Sequence, residues 1–217
     1  MDISTVIMQL AGGMVRSIEI FVLTLLFALP LGMVVAFGRM SSKSPIRIIT
    51  KAYISIMRGT PLMLQLMVVF WGPYYIFNVP VSAGYRIVAV IIGFVINYAA
   101  YFAEIFRGGI EAMNKGQYEA AHVLGYTKRQ TFFIIILPQV VKIILPSMTN
   151  EVITLVKDTS LSFVIAIPEM FTVAKQIAAA QASVSAFIAA GIFYYVFNVL
   201  VAHVMANWED RLSYYSS

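Results

Sequence analysis

The 217-residue chain is too apolar to be a water-soluble protein. Hydrophobic residues make up 60% of it and charged residues 12%, and its mean hydropathy is +0.85, whereas soluble domains are about 45–50% apolar and about 25% charged. This composition excludes a soluble enzyme, a disordered chain and a collagen-like fibre, and it predicts a membrane protein. The absence of cysteine excludes disulfides and thiolate metal sites. The net charge of +5 does not indicate nucleic-acid binding, because excess Lys and Arg in a membrane protein usually set topology.

Five apolar segments are each long enough to cross a bilayer, since about 20 helical residues span about 30 Å of hydrocarbon. In chain order, the predicted spans are residues 18–38, 61–77 (or from 53), 87–110, 132–156 and 185–205. No linker or internal repeat divides the chain. We therefore predict that residues 1–217 form a single all-α transmembrane domain, a polytopic bundle of five helices.

The basic residues predict the orientation of the chain. Residues 39–58 contain five Lys or Arg and no acid, the connection between spans three and four adds four more, and Arg211 lies in the tail. The opposite side holds only Arg16, Arg86, Lys157 and Lys175. Because Lys and Arg accumulate in cytoplasmic loops, we expect the N-terminus outside and the C-terminus in the cytoplasm.

Three carboxylates fall within or at the edge of predicted spans: Glu104, Glu151 and Asp158. Each would cost about 2.5–3.5 kcal/mol at the centre of a span, so they are expected to avoid lipid. Helical spacing groups them with other polar residues on two stripes. One stripe contains Asn97, Tyr101 and Glu104, and the other contains Glu151, Thr154 and Asp158.

Two interpretations of these stripes remain open. In the first, the six residues line a wet cavity of negative potential, which would bind a cationic or zwitterionic solute through charge-assisted hydrogen bonds. In the second, the acids pair internally with Lys142, Lys157 or Arg107 and only hold the bundle together.

The apolar stretch at 157–184 follows the second stripe and is unusual for an outer loop. Irregular backbone is not tolerated against lipid, so the stretch predicts a short helix or a re-entrant turn packed on the spans. Its first polar residues, Asp158, Thr159 and Ser160, resemble a helix N-cap cluster, so we expect a break and a new helix there.

Between spans three and four, residues 111–130 are long enough for a cytoplasmic helix. Ala and Glu favour a helix at about 116–127, and Gly125 suits the left-handed residue that often follows a helix C-terminus. The segment either docks a cytoplasmic partner or only connects the spans along the membrane surface.

This region resembles the permease subunits of ATP-binding-cassette (ABC) importers. Their signature reads EAA, three residues, Gly, nine residues and I-x-L-P. It is met at Glu119, Ala120, Ala121, Gly125, Ile135, Leu137 and Pro138. The strings R-G-T-P at 58–61 and K-D-T-S-L at 157–161 are similar to the branch of this family that carries polar amino acids.

The resemblance implies a set of partners in the cytoplasmic membrane of a prokaryote. Such permeases pair with a second permease, identical or related, and receive solute from an external binding protein. Their EAA segment, here Glu119, Ala120, Ala121 and Gly125, docks on a cytoplasmic ABC ATPase dimer. ATP and Mg²⁺ belong to that ATPase, so no cofactor or metal is expected in this chain. It also lacks a G-x-x-x-x-G-K-[ST] loop and is expected to be a transport subunit, not an enzyme.

The acidic stripes favour a basic amino acid (arginine, lysine or histidine) as the substrate. Neutral polar amino acids such as glutamine stay open, because the α-ammonium group of every amino acid also pairs with an acid. Two alternatives do not involve an ATPase. One is an ion-coupled secondary carrier that uses the three acids as a relay, and the other is a scaffold whose inner acids only pair.

Overall fold

The computed structural model describes residues 2–82 and 84–213, and these ranges contain helices and no strand. The α-helices are α1 (Ile3–Arg39), α2 (Ser44–Gly59), α3 (Leu62–Phe77), α4 (Tyr85–Glu111), α5 (Lys115–Val123), α6 (Lys128–Gln130), α7 (Leu137–Asp158), α8 (Met170–Gln181) and α9 (Ser185–Ser213). A π-helical segment, Thr131–Ile136, joins α6 to α7, and a 3-10 segment, Thr159–Ile165, follows α7. The predicted all-α class is confirmed.

Four continuous helical stretches of the described chain are long and apolar enough to cross a membrane. They are α1, α4, the run Lys128–Ile165 and α9. Helices α2 and α3 pass the same test together but bend by 111° at Thr60 and Pro61. Counted as one broken span, this pair gives the predicted total of five. The first helix starts at Ile3, well before the predicted span at residue 18.

Small residues allow α1 and α4 to form the most extensive helix–helix contact of the bundle. Gly32 of α1 faces α4 so closely that a Cβ there would lie 2.9 Å from Phe102 Cβ and 3.1 Å from Ala99 O. No other residue fits without moving a helix. Close approach through small residues is the usual way that membrane helices pack, because burial from lipid gives little hydrophobic gain.

The segment at 157–184 contains the short helix expected there, α8, which packs against α1 and α9. Its N-terminus is capped by Glu169, a fully buried residue whose carboxylate accepts hydrogen bonds from the backbone N–H groups of Phe171 (2.7 Å) and Thr172 (2.8 Å). Tyr194 of α9 donates a further hydrogen bond at 3.1 Å. Burial raises the pKa of Glu169, and these hydrogen bonds oppose the rise by stabilising the carboxylate.

The predicted N-cap at 158–160 is wrong. Helix α7 does end at Asp158, but that side chain caps no backbone N–H. The hydroxyls of Thr159 and Ser160 instead donate back to the carbonyls of Val156 (2.8 Å) and Lys157 (2.7 Å), in the turn before them. The chain therefore tightens into a 3-10 segment. The next α-helix, α8, is capped by Glu169, which lies eleven residues after Asp158.

Candidate functional site

A polar cavity of about 420 Å³ lies between α4 and α7, with the C-terminal end of α2 at its edge. Glycine and isoleucine residues make up the rest of its wall. Its polar lining consists of Arg58, Tyr101, Glu104, Ser147 and Glu151. The structure thus brings together Tyr101, Glu104 and Glu151 of the six residues predicted to bind substrate, and leaves Asn97, Thr154 and Asp158 outside the lining.

Arg58 places a positive charge at the edge of the polar cavity. It lies in the last turn of α2, where the helix dipole favours a cation, and the break before α3 follows directly. Its guanidinium carbon lies 5.3 Å from the centre of the Tyr101 ring, within the range of a cation–π contact. Tyr101 therefore holds Arg58 over α4.

Glu104 is held by two arginines. Arg107 Nη2 lies 2.6 Å from Glu104 Oε2, and Arg107 Nε lies 3.1 Å from both carboxylate oxygens. Arg39 Nε of α1 lies 3.9 Å from Glu104 Oε1. The geometry matches the internal pairing with Arg107 that the sequence left open as an alternative. The charge of Glu104 is thus largely compensated within the protein.

Glu151 differs from Glu104 in its surroundings. It lies half-buried on α7, one helical turn after Ser147 on the same side of the helix. Within the described ranges no hydrogen bond or ion pair engages its carboxylate. The polar cavity therefore contains one carboxylate without a close protein cation, Glu151, and one cation at its edge, Arg58.

Asn97 serves the fold of the broken span. It is buried, and its Nδ2 donates to Gln65 Oε1 at 2.9 Å and to the Met57 carbonyl at 3.1 Å. Gln65 Nε2 in turn donates to the carbonyls of Met57 (2.9 Å) and Thr60 (3.1 Å). These carbonyls end α2 and have no partner within that helix. The two amide side chains thus satisfy the backbone at the 111° bend.

The remaining two predicted residues face other groups. Asp158 Oδ2 accepts a hydrogen bond of 2.7 Å from the hydroxyl of the buried Tyr98, on α4. Thr154 donates its hydroxyl to the Asn150 carbonyl of its own helix at 2.8 Å. Asp158 is seven residues from Glu151, or about 10 Å along α7. It therefore lies beyond the lining of the polar cavity.

The predicted cytoplasmic helix is present as α5, shorter than the predicted 116–127. Asn114 caps its start by accepting from Gly116 N–H at 2.8 Å. At its end, Gly125 has a φ of +79° and donates to the His122 carbonyl at 3.0 Å, while Tyr126 N–H donates to the Ala121 carbonyl at 3.0 Å. This pair of bonds is the Schellman motif, so the left-handed glycine predicted at 125 is confirmed.

The EAA residues differ in exposure. Ala121 is buried against the bundle, whereas Glu119 and Ala120 are exposed. Beyond them two large apolar side chains, Val123 and Leu124, are 85% and 73% exposed. The end of α5 therefore presents an apolar tip that nothing in the described chain covers.

Sequence reasoning missed Arg58 and Ser147 as cavity residues. Arg58 lies within the R-G-T-P string, and its charge in the sequence indicates only topology. Ser147 gives no signal, since it is a single hydroxyl in an apolar span. In the described part of the chain, no group of three His, Asp or Glu side chains lies close enough together to hold a metal ion.

Comparison with known proteins decides the family. Residues 28–214 match the family described as "binding-protein-dependent transport system inner membrane component". The chain belongs to this family. It is thus a membrane component of a transport system, and an inner-membrane protein by that description.

Two relatives are similar to this chain along most of their length. The L-cystine transport system permease protein of Bacillus subtilis (strain 168) is 35% identical over 208 residues, which cover 95% of this chain and 87% of the relative. The arginine transport system permease protein of the same organism is 35% identical over 219 residues, which cover 98% and 97%. A crystal structure of an amino acid ABC transporter with histidines superposes with a TM-score of 0.83 at 29% identity, covering 94% of each chain.

Proposed function

We propose that this chain is the permease subunit of an ATP-driven importer that moves amino acids across the cytoplasmic membrane by alternating access. The observation that carries the proposal is the polar cavity, which holds Arg58 and Glu151 together. An amino acid presents a carboxylate and an ammonium group on one carbon, so a cavity with one guanidinium and one carboxylate complements it. The similarity to cystine and arginine permeases supports this substrate class.

Within that class, the proposal favours basic amino acids. The lining of the polar cavity has two carboxylates, Glu104 and Glu151, and one cation, Arg58, but Arg107 already compensates Glu104. The preference for a cation therefore rests on Glu151 together with Asp158, a second acid of α7 that accepts a hydrogen bond from the Tyr98 hydroxyl. Against these two acids lies the single cation Arg58, so a substrate of net charge +1 would balance the three charges. Neutral polar amino acids such as glutamine are the competing substrate.

The partners follow from the family and from the exposed end of α5. We propose that α5 docks on a cytoplasmic ABC ATPase dimer through Glu119, Ala120 and the apolar tip at Val123 and Leu124. ATP and Mg²⁺ would bind to that ATPase. A second permease subunit would cover the open side of the polar cavity, and an external binding protein would deliver the solute. In the proposed orientation, the N-terminus lies outside and the C-terminus in the cytoplasm.

The proposal is tested by uptake into proteoliposomes that contain the permease, its ATPase and its binding protein. We expect ATP-dependent uptake of labelled arginine, with unlabelled lysine and histidine competing more strongly than glutamine. Equal competition by glutamine would contradict the basic preference but not amino-acid import. Uptake by this chain without ATPase or ATP would contradict the importer and support an ion-coupled carrier.

Two variants test the role of the polar cavity in the same assay. Glu151→Gln removes a charge-assisted contact of about 1.5–3 kcal/mol and should lower arginine uptake by about tenfold or more at limiting substrate. Thr154→Val is the matched control on the same helix, since its hydroxyl bonds only its own backbone. Unchanged arginine uptake by the Glu151→Gln variant would show that the polar cavity is not the substrate-binding site.

A further inference from the structure

Helix α2 presents two exposed faces of opposite polarity. Lys43, directly before the helix, and Arg47 and Lys51 within it follow one another at intervals of four residues, so they share one face. Ile49 and Ile56 lie about 180–200° around the helix axis from Arg47, and they are 69% and 56% exposed. A basic face opposite an apolar face is typical of helices that bind along the surface of a membrane.

The positive charges of the basic face have no compensating acid. Residues 20–103 contain neither Asp nor Glu, and within the described ranges none of the three basic side chains forms an ion pair. The guanidinium of Arg47 donates only long hydrogen bonds to neutral oxygens, at 3.3 Å to Ser44 Oγ and at 3.4 Å to the Ser41 carbonyl. All three charges are therefore available to an anion outside the chain.

The basic face lies at the cytoplasmic end of the bundle in the orientation proposed above, on which this inference rests. Helix α2 passes directly against the last turn of α1, since a Cβ on Gly38 would lie 2.7 Å from Thr50 Cγ2. Arg39, the last residue of α1, reaches Glu104 with 3.9 Å between Nε and Oε1. The start of α2 is thus level with the cytoplasmic ends of α1 and α4, where the lipid headgroups of the inner leaflet lie.

The direction of α2 suits a helix at the membrane surface. Its axis makes an angle of 111° with that of α3, and α3 alone, about 24 Å long, crosses most of the hydrocarbon thickness of about 30 Å. The third face of α2, with the buried Ile54, packs against the bundle. The two exposed faces are both satisfied when the axis lies along the surface, because the basic side chains then meet headgroups and the isoleucines meet acyl chains.

We propose that α2 lies along the cytoplasmic surface of the membrane and binds anionic phospholipids through Lys43, Arg47 and Lys51. Basic residues on an amphipathic helix attract the anionic lipids of the cytoplasmic leaflet. Topology requires only that such residues stay in the cytoplasm, so their placement on one face of a helix goes beyond it. Arg58 lies in the last turn of the same helix, so a lipid anchor at its start would steady Arg58 at the edge of the polar cavity.

Fluorescence quenching in the assembled, reconstituted transporter tests the proposal. The chain has no cysteine, so Ile49→Cys gives it a single thiol for a fluorophore. The bilayer contains equal amounts of phosphatidylglycerol and phosphatidylcholine, and one of the two lipids has brominated acyl chains, which quench only nearby fluorophores. We expect brominated phosphatidylglycerol to quench the label several-fold more than brominated phosphatidylcholine, whereas a label at Val199→Cys, an exposed position of α9, should be quenched equally by both. Equal quenching by both lipids at Ile49→Cys would overturn the proposal.

The role of the basic face is tested in the Ile49→Cys background. Replacing Lys43, Arg47 and Lys51 together by Gln should abolish the preference for phosphatidylglycerol, whereas Lys175→Gln, a basic residue of the outer side, should leave it unchanged. Raising the salt to about 1 M should also abolish the preference without any change to the basic face, because it shortens the Debye length to about 3 Å. A preference that survives both the triple variant and high salt would overturn the role of the three charges.

A protein neighbour or water could instead cover the apolar face of α2, and the same labels distinguish these cases. A second permease or the ATPase on this face would shield labels at Ile49→Cys and Ile56→Cys from both brominated lipids. Exposure to the cytoplasm would make the two labels sensitive to iodide in solution and insensitive to brominated lipid. Either result would overturn the proposal. Amino-acid uptake is measured separately, so failure of this inference leaves the proposed importer intact.

Discussion

The Nδ2 of Asn97 donates a hydrogen bond of 2.9 Å to the Oε1 of Gln65, and both side chains are buried. This bond joins α4 to the start of α3, and the free donors of both amides reach the carbonyls that end α2. The bend of 111° between α2 and α3 would otherwise leave these carbonyls unsatisfied in an apolar surrounding. The Asn97–Gln65 pair therefore holds the broken span, together with Arg58 at the edge of the polar cavity.

Replacing either amide should loosen the bend. We expect Asn97→Ala and Gln65→Ala each to lower the free energy of unfolding by about 1–3 kcal/mol, because buried carbonyls lose their donors. The double variant should show a coupling of about 0.6 kcal/mol, the average for polar pairs in membrane proteins. Thermal unfolding in detergent measures both values, with the exposed Ser55→Ala of α2 as the control. Strict additivity of the two losses would show that the pair does not act as a unit.

Glu104 is expected to act through its pairing with Arg107. Glu104→Gln should lower the amount of folded protein and should reduce uptake of cationic and neutral amino acids to the same extent, because Arg39 loses its ion pair with Glu104 and Arg107 keeps only its pair with the exposed Glu111. The conservative variant Glu104→Asp, which keeps a negative charge beside Arg39 and Arg107, should retain part of the stability. A loss confined to cationic substrates would instead assign Glu104 to substrate binding.

Gly32 is expected to tolerate no side chain, because a Cβ there meets α4 at 2.9 Å. Gly32→Ala should destabilise the protein by about 1–3 kcal/mol, the usual cost of overpacking. Gly12→Ala is the matched control on the same helix, since nothing lies within 4 Å of its added Cβ. Melting temperatures in detergent compare the two variants. Equal melting temperatures would mean that α1 and α4 can separate without cost.

We expect Gly125 to affect the docking of the ATPase on α5 more than the stability of the membrane spans. Its φ of +79° is strained for any residue with a Cβ, at a cost of about 1–2 kcal/mol. Gly125→Ala should therefore disorder the end of α5, and it should reduce ATPase copurification and substrate-stimulated ATP hydrolysis while thermal unfolding of the permease changes little. Gly191→Ala, in an open position of α9, is the control. Normal ATPase binding by Gly125→Ala would contradict the docking role of this turn.

Much of the fold could be predicted from the sequence, because lipid imposes simple rules on it. A spanning helix needs a long apolar run, so the approximate positions of the spans could be read directly. Gly125 was predictable as a left-handed residue, since a glycine just after a short helical segment commonly ends that helix in this conformation. The failure of the Asp158 cap was not predictable, because the side chains of Asp, Thr and Ser bond to backbone on either side of a break. The same Asp-Thr-Ser pattern occurs whether these side chains bond to the backbone before the break or cap a helix after it.

By itself, the sequence determined that this protein lies in a membrane, that it is helical, and that its span acids must avoid lipid. Composition and hydrophobic run length suffice for these conclusions because the bilayer penalises each exposed polar group separately. Only the tertiary structure decided which acids share a cavity. Glu104 and Glu151 lie on different helices, and only the packing of α4 against α7 brings both to one cavity. Arg107 follows Glu104 by three residues on α4, so that pairing was within reach of helical spacing. Which residues of two separate helices face the same cavity depends on how the helices pack, and spacing along one chain segment does not specify it.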